Sequence, residues 1–426
     1  MSAWLAYLVH TACTVLAVFA VRRRQRAGGG HRLSTLEIAA AAATAVALLL
    51  LTSGPIFIDF IKAYHHAGRA ILINPAALYD CTRAQCFVNV PIVALLFTPF
   101  GPFDPFTGAV LFSIAGILVV GLALRRLTSD APADLVLWVV LLSGPLYYSV
   151  RLGNTTHFLL ILFVVAFEAV ARGRERTAGA LLAGAALLKP PLAIFLPYFL
   201  LRRRRAAAAS MAAWAAVAIL LSVALFGTAL HRYWFHEFVV VHGSEAIGAY
   251  NAQSAGGFLA HLLTRGHLRD WYPIPVDLTF RLVRWTMVAL IVGAAALAGV
   301  RARQPRTDAA WEAELSLVLT VGILAAPIAW THYYVLLIIP IAGFLSGRLP
   351  LAGRTQPVFA FAVWLISLPV VVFGVEGRLA NALYERLLVS HYFVGGVLLL
   401  ALLVQARLAI GAADHRRLAG PADQNA

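Results

Sequence analysis

Four ionisable side chains follow one another at helical spacing near residue 60 of this 426-residue chain. Asp59, Lys62, His66 and Arg69 are three, four and three positions apart, so an α-helix would carry them on one face. A carboxylate beside cations can serve as a general base next to a group that binds an anion. The alternative is an amphipathic helix at a membrane surface, whose charges meet water and lipid headgroups.

Polar side chains at the ends of apolar segments supply further candidates. His332 is the strongest of the histidines because it lies among aromatic residues at such an end, although a lone histidine there is more often structural. Two other polar stretches run from Arg151 to His157 and from Asn251 to Gly257. No group of His, Cys and Glu has the spacing of a metal site, and the sequence has no acidic pair of the Asp-x-Asp type. We therefore expect no divalent metal and no other cofactor.

The composition places these residues in a membrane protein. The chain is 61% hydrophobic and only 12% charged, with a mean hydropathy of +0.82, whereas ordinary soluble domains are roughly 25% charged. No phosphate-binding loop or dinucleotide fingerprint is present. The formal charge of +15 comes from arginines clustered between apolar blocks and not from one basic face, which argues against nucleic acid as a partner.

The apolar blocks predict an all-α, polytopic membrane protein with about eleven spans, in one integral membrane domain over residues 1–426. The first block precedes its arginines, so it resembles a retained helix with its N-terminus outside and not a signal peptide. Threading the chain from there puts the dense arginine clusters on one side, as the positive-inside rule requires. The predicted spans are residues 3–20, 36–54, 106–124, 134–150, 157–171, 206–226, 276–300, 310–329, 333–346, 356–374 and 391–409.

Residues 177–201 do not fit a plain span. Arginine clusters assigned to the inner side flank this segment at both ends, and Lys189-Pro190-Pro191 divides it into two arms. Each arm is too short to cross a hydrocarbon core of about 30 Å. We predict a broken, hairpin-like pair of helices with Lys189 at its tip; the alternative is one kinked and tilted helix.

Three outer loops, residues 55–105, 227–275 and 375–390, are expected to form the functional face. The apolar run from Phe87 to Phe100 is short and contains prolines, which predicts a re-entrant or interfacial helix. Cys81 and Cys86 lie in the first loop, where they could form a disulfide in an oxidising compartment or remain two unpaired thiols.

Taken together, these segments resemble glycosyltransferase family 87, whose members are membrane proteins of GT-C architecture like the mannosyltransferases that use polyprenyl-phosphate mannose. The resemblance covers about residues 36–345. Its motifs are the Asp59 segment with Tyr64, Gly68 and Leu78-Tyr79-Asp80, the run from Asn89 to Pro99 before Gly101-Pro102, Gly153-Asn154 followed by Ala178-Gly179 and Leu188-Lys189-Pro190, and Trp330-Thr331-His332-Tyr333-Tyr334.

The resemblance implies an inverting hexosyltransferase in the bacterial inner membrane. A monosaccharide, typically mannose, would pass from a polyprenyl-phosphate donor to a lipid-linked or glycan acceptor on the periplasmic side. Asp59 takes the role of the general base, and His332 lies near the donor phosphate or the acceptor. The remaining candidates for the donor phosphate or substrate are Lys62, His66, Arg69, Arg151, Asn154, Lys189 and Tyr333, and those for the acceptor side are Tyr64, Asn251 and Gln253. Membrane lipids are the other expected partners.

Two rival functions share the predicted features. A transporter or flippase of lipid-linked sugars would also have a basic outer cavity and broken helices. Such a protein should carry polar groups at the middle of the membrane, where Lys189 alone is a candidate, and the hydropathy pattern shows no internal repeat. A membrane scaffold without catalytic activity would use the outer loops as docking surfaces.

Overall fold

The computed structural model describes residues 7–13, 55–80, 86–127, 143–263, 268–370 and 378–419, with the single positions 15 and 43. All regular structure in these ranges is helical, and the β pairs are the isolated bridges Ala246–Ile274 and Ala252–Trp330. The α-helices of seven or more residues are α1 (His65–Ile73), α2 (Pro105–Leu127), α3 (Gly144–Leu152), α4 (Thr156–Ala171), α5 (Glu175–Leu188), α6 (Phe195–Leu201), α7 (Arg205–Trp234), α8 (Ala255–Leu263), α9 (Leu278–Arg301), α10 (Asp308–Leu324), α11 (Ile338–Leu345), α12 (Gln356–Ser367), α13 (Arg378–Arg386) and α14 (His391–Ala419).

The apolar helices indicate a membrane protein, but the count of about eleven spans is not confirmed. By length and composition, four helical stretches in the described ranges could cross a membrane: Pro105–Leu127, Arg205–Ser244, Leu278–Arg301 and Asn381–Asp414. They coincide with four of the predicted spans. Of the other predictions, residues 36–54 and 134–150 lie mainly outside the described residues, as does most of 3–20.

The remaining predicted spans are shorter helices; the predicted 157–171 agrees with α4, whereas others end early because of local sequence. Helix α12 has 12 residues and stops at Ser367, since Leu368 precedes a proline and takes an extended conformation. The segment predicted as 333–346 begins as a 3-10 helix, Thr331–Leu337, and continues as α11. The run before Phe100 is a 3-10 helix, Pro91–Phe100, packed against α1 and α7.

Residues 177–201 form the predicted hairpin. Helix α5 ends at Lys189, whose φ of −140° and ψ of 92° are extended, and the 3-10 turn Pro190–Ile194 leads into α6. Glu175 at the start of α5 and Arg204 after α6 form an ion pair of 2.6 Å, so the two arms return to the same place. Fourteen residues of α5 rise about 21 Å from this base to the tip.

A network of buried charges joins the base of the hairpin to the C-terminal helices. Both oxygens of Glu314 on α10 accept hydrogen bonds from Arg202, one oxygen also from Tyr198 and the other from Arg407 on α14. Arg407 is fully buried. This network fixes α6, α10 and α14 relative to one another at the arginine-rich end of the molecule.

Around Asp59 a separate aromatic core holds the chain. Phe60 is fully buried, and its ring contacts those of Phe97, Phe100 and Phe112. Cys86, in the same region, is disulfide-bonded, and Cys81, for which the sequence left a disulfide or a free thiol open, lies outside the described residues. The aromatic core anchors the residue directly after Asp59.

Candidate active site

Asp59 begins a tightly held turn at the start of the first outer loop. Phe57 has a φ of +57°, unusual for a residue with a side chain, and its N–H donates to the carbonyl of Arg151 at 2.6 Å. The turn from Phe60 to Tyr64 is a π-helix, whose repeat of more than four residues brings Asp59 and Tyr64 to one side. Both side chains meet the same partner, Asn154.

Gly153 allows the turn between α3 and α4 to reach Asp59. Its φ of +68° is left-handed, and a Cβ built there would lie 2.6 Å from the Cβ of Phe60. The N–H of Asn154 donates to the carbonyl of Ser149 at 2.8 Å, which ends α3. The glycine therefore permits a close backbone approach that presents the Asn154 side chain to Asp59.

Asn154 is the centre of the hydrogen-bond network. Its Nδ2 donates to Asp59 Oδ2 at 2.9 Å and to the Tyr64 hydroxyl at 3.3 Å. Its Oδ1 accepts from the N–H of Thr156 at 3.1 Å, from the Thr156 hydroxyl at 2.8 Å and from Lys189 Nζ at 3.4 Å. One carboxamide thus connects the carboxylate to the tip of the hairpin.

Lys189 provides a buried positive charge next to Asp59. The side chain is 5% exposed, and its Nζ lies 4.8 Å from the centroid of the Tyr333 ring, a cation–π distance. Asn89 from the first outer loop donates to the carbonyl of Leu188 at 2.6 Å and so fixes the hairpin tip. The hairpin brings its lysine to the end of the molecule opposite the Glu314 network.

The surroundings of Asp59 change its proton affinity. Asp59 is partly exposed and lies outside the four long apolar helices. Burial raises the pKa of its carboxyl above the usual range, while the Asn154 hydrogen bond and the charge of Lys189 act in the opposite direction with smaller effects. A carboxylate with a raised pKa is a stronger base than a free aspartate.

His332 contributes buried polar atoms without internal partners. The side chain is 3% exposed, and neither ring nitrogen has a hydrogen-bond partner among the described residues. The hydroxyl of Thr155 and Nε2 of His157 are also buried without a hydrogen-bond partner among the described residues. His332 interacts electrostatically with both Lys189 and His157. Buried polar atoms normally find partners, so this group is suited to a polar ligand.

The structure does not bring Lys62, His66 and Arg69 to Asp59. All three side chains are exposed, and His66 Nε2 is 3.2 Å from the carbonyl of Ala77. The predicted common face assumed α-helical geometry. The π turn changes the register, so that Tyr64 shares the inner side with Asp59 and the three cations face outward.

The other predicted residues lie farther from the carboxylate or are used internally. The carbonyl of Arg151 holds Phe57, and its side chain lies in electrostatic range of Tyr250. Asn251 Oδ1 accepts from Trp271 Nε1 at 3.0 Å, and its carbonyl accepts from the N–H of Thr331 at 2.9 Å.

Gln253 is buried and is used in internal hydrogen bonds. It is fully buried, its Nε2 donates to the carbonyls of Tyr250 and Val389, and its Oε1 accepts from the N–H of Phe393. Its polar side chain therefore joins the second outer loop to the start of α14.

Sequence reasoning missed Thr156 and Tyr250. The Asn154-x-Thr156 spacing is a local signal, because an Asn side chain commonly accepts from the backbone two residues on. Tyr250 interacts electrostatically with Asp59 and Arg151, and its ring centroid is 6.1 Å from that of Trp271. Nothing in the sequence distinguishes it from the other tyrosines of the outer loops.

Within the described ranges, no group of three or more His, Cys, Asp or Glu side chains could hold a metal ion. The expectation of chemistry without a divalent metal stays a prediction.

The comparison with protein families gives one match. The family model described as Glycosyltransferase family 87 matches residues 87–327, which is more than half of the chain. The match includes Asn154 and Lys189, whereas Asp59 and His332 lie outside it. Among curated proteins, none matches this sequence.

Proposed function

The chain belongs to glycosyltransferase family 87, and from that premise we propose an inverting hexosyltransferase that uses a polyprenyl-phosphate sugar. The sugar, mannose in this proposal, passes to a hydroxyl of a lipid-linked or glycan acceptor on the periplasmic side of a bacterial inner membrane. The observation that carries the proposal is the partly exposed Asp59 carboxylate beside the buried Lys189 ammonium. The choice of mannose as the sugar and of polyprenyl phosphate as its carrier rests on the sequence motifs between Asp59 and Tyr334.

Asp59 acts as the general base in this proposal. The acceptor oxygen attacks the anomeric carbon from the face opposite the phosphate, and the bond between that carbon and the phosphate oxygen breaks. The acceptor proton goes to Asp59, and the polyprenyl phosphate leaves with the bonding electron pair and an additional negative charge. Base assistance of this kind typically contributes about 10²–10⁴-fold to a rate.

Lys189 and His332 stabilise the leaving phosphate. A cation held in a site with little water stabilises developing charge more strongly than it would in solution. The Lys189 ammonium is already in place, and the unpartnered nitrogens of His332 can donate to a phosphate oxygen. Tyr333 supports the lysine through its ring. The lysine supplies the positive charge, and the imidazole adds a hydrogen-bond donor.

The acceptor enters on the side of Tyr250 and Trp271. Tyr250 is the aromatic residue of the second outer loop that interacts with Asp59, and Asn251 fixes the Trp271 ring. Tyr64 and Arg151 border the same side. The exposed Lys62, His66 and Arg69 are suited to lipid headgroups at the membrane surface.

The Asp59→Asn variant tests the proposal in purified protein with a labelled polyprenyl-phosphate mannose donor. We expect loss of transfer by about 10²–10⁴-fold, because the amide cannot accept the proton. The control is Asp104→Asn, since Asp104 is an exposed carboxylate of the same loop whose capping hydrogen bonds an asparagine can keep. Full activity of Asp59→Asn would overturn the assignment of the base, and transbilayer movement of the donor without any transfer product would favour a transporter.

A further inference from the structure

We infer that Asn154 is a positioning residue that sets the orientation of the Asp59 carboxylate and the position of the Lys189 ammonium, without binding substrate itself. The inference rests on the proposed function, since it assumes that Asp59 is the base. It differs from the role that the sequence indicated for Asn154, which was a group for the donor phosphate or the substrate.

The orientation of the Asn154 carboxamide follows from its neighbours. The backbone N–H of Thr156 can only donate, so the atom 3.1 Å from it must be the carboxamide oxygen. The Lys189 ammonium is also a pure donor and lies on the same oxygen. Consequently the NH₂ group faces Asp59 and Tyr64. In a flipped carboxamide the NH₂ group would face the N–H of Thr156 and the Lys189 ammonium, which are donors themselves.

No hydrogen-bonding capacity of this side chain remains for a ligand. A carboxamide has two N–H donors and an oxygen with two lone pairs. The two donors go to Asp59 and Tyr64, and the oxygen accepts from the N–H and the hydroxyl of Thr156 and from Lys189. With only 4% of Asn154 exposed, a substrate could reach it only by displacing these partners.

The consequence for Asp59 concerns its two oxygens. Asn154 occupies Oδ2, and among the described residues no hydrogen bond is made to Oδ1. Oδ1 is thus the oxygen that receives the acceptor proton, and Asn154 decides which oxygen that is. The backbone beneath Asn154 is fixed by the left-handed Gly153 and by the bond to Ser149. The carboxamide is therefore a rigid support for the base.

Several titratable and charged groups face this carboxylate, and they define how a pH profile is interpreted. Tyr64 belongs to the same turn, Lys189 comes from the hairpin tip, and Tyr250 comes from the second outer loop with Arg151 nearby. Tyr333, in the 3-10 helix Thr331–Leu337, interacts electrostatically with Tyr64. A substitution at position 154 or 156 removes none of these groups, but Asn154→Asp adds a carboxylate that titrates together with Asp59. The acid limb of Asn154→Asp therefore reports on the pair of carboxylates, and that of Thr156→Val reports on Asp59.

The test compares Asn154→Asp and Thr156→Val with the wild-type enzyme, using labelled polyprenyl-phosphate mannose and a soluble mannoside acceptor. The first change replaces the donor to Asp59 by a second carboxylate. We expect kcat to fall about 10²-fold, by the scale of general-base assistance, and the acid limb to move to higher pH, while KM for the donor stays within about threefold. Thr156→Val removes the hydroxyl that donates to Asn154 Oδ1 and keeps the shape of the side chain. It should move the acid limb of activity in the same direction but by less.

Two results would overturn the inference. One is a raised KM for the donor with unchanged kcat in Asn154→Asp, which would make Asn154 a substrate-binding residue. The other is a wild-type acid limb in both variants. If Asn154→Asp fails to fold, as judged by gel filtration and thermal melting, the Thr156→Val limb decides alone. Asp59→Asn is measured in parallel to separate the two proposals. An active Asp59→Asn variant would refute Asp59 as the general base, whereas the results above concern Asn154 as its positioning residue.

Discussion

Two carboxylates, Glu314 at the arginine-rich end and Asp59 at the opposite end, differ in how fully the protein satisfies them. Glu314 is 2% exposed and accepts four hydrogen bonds: Tyr198 Oη and Arg202 Nε donate to one oxygen, and Arg202 Nη2 and Arg407 Nε donate to the other. Asp59 is partly exposed and accepts one, from Asn154, within the described part of the chain.

This difference separates a structural charge from the one that we propose as the base. A buried carboxylate with four donors is fully compensated, has no lone pair to offer a substrate and serves to hold helices together. A carboxylate with one donor keeps acceptor capacity, and its raised pKa makes it a better proton acceptor. The cations differ in their partners: Arg407 donates to Glu314 and to backbone carbonyls, although its Nη1 has no partner among the described residues, whereas Lys189 lies near Asp59 and an aromatic ring.

The largest expected effect is on stability, from Glu314→Gln. The substitution leaves Arg202 and Arg407 near a neutral group, and breaking a buried ion pair on one side costs about 3–5 kcal/mol. Thermal melting in detergent should show a marked loss, with normal activity per folded enzyme. The matched control is Glu168→Gln, whose partners Arg126 and Arg172 are 51% and 59% exposed and for which we expect at most about 1 kcal/mol. Equal melting temperatures of the two variants would contradict the contrast.

Lys189→Met should have the opposite signature, a large loss of activity without a loss of stability. Removing the ammonium takes away charge compensation for the leaving phosphate, and groups of this kind are worth about 10²–10³-fold. The other lysine of the chain, Lys62, is exposed and provides the control: Lys62→Met should change the rate by less than about threefold. Rates and melting curves of both variants check this, and similar rates for the two would sink the role of Lys189.

The pH dependence of sugar transfer tests directly whether Asp59 is the group that accepts the proton. Its pKa is raised by burial, so the proton binds more readily than to a free aspartate, and the active carboxylate is lost as the pH falls through that raised value. Activity should therefore decline below a pH that is above about 4, the range of a free aspartate. A phosphodiester donor keeps one charge over this range, so the single-turnover rate reports on the enzyme. An acid limb of activity at or below about pH 4 would contradict a pKa of Asp59 that is raised by burial.

The contrast between the two ends was only partly accessible from the sequence. The hairpin followed from Lys189-Pro190-Pro191 between two arginine clusters, and Asp59 stood out because the chain has so few carboxylates. The partners were not accessible: the π turn that moves Lys62 away from Asp59 depends on tertiary packing around Phe60. Likewise Gln253 and Asn251 have the same polar character in the sequence, and only the folded chain shows that Gln253 is consumed by internal bonds.

The smallest effect expected is that of Gly153→Ala, and a second glycine makes it interpretable. Gly153 and Gly173 have nearly the same left-handed φ, +68° and +69°, so an alanine costs each about 1–2 kcal/mol in backbone strain. Nothing lies within 4 Å of a Cβ at Gly173, whereas one at Gly153 would be 2.6 Å from the Cβ of Phe60. The two variants should therefore share a modest loss of melting temperature, while Gly153→Ala alone displaces the Asp59 turn and lowers the transfer rate by about tenfold, since misplaced catalytic groups cost up to about 10²-fold. Equal rates for both would mean that Asp59 tolerates movement of the turn, and that its position is set by Asn154 without help from the backbone approach.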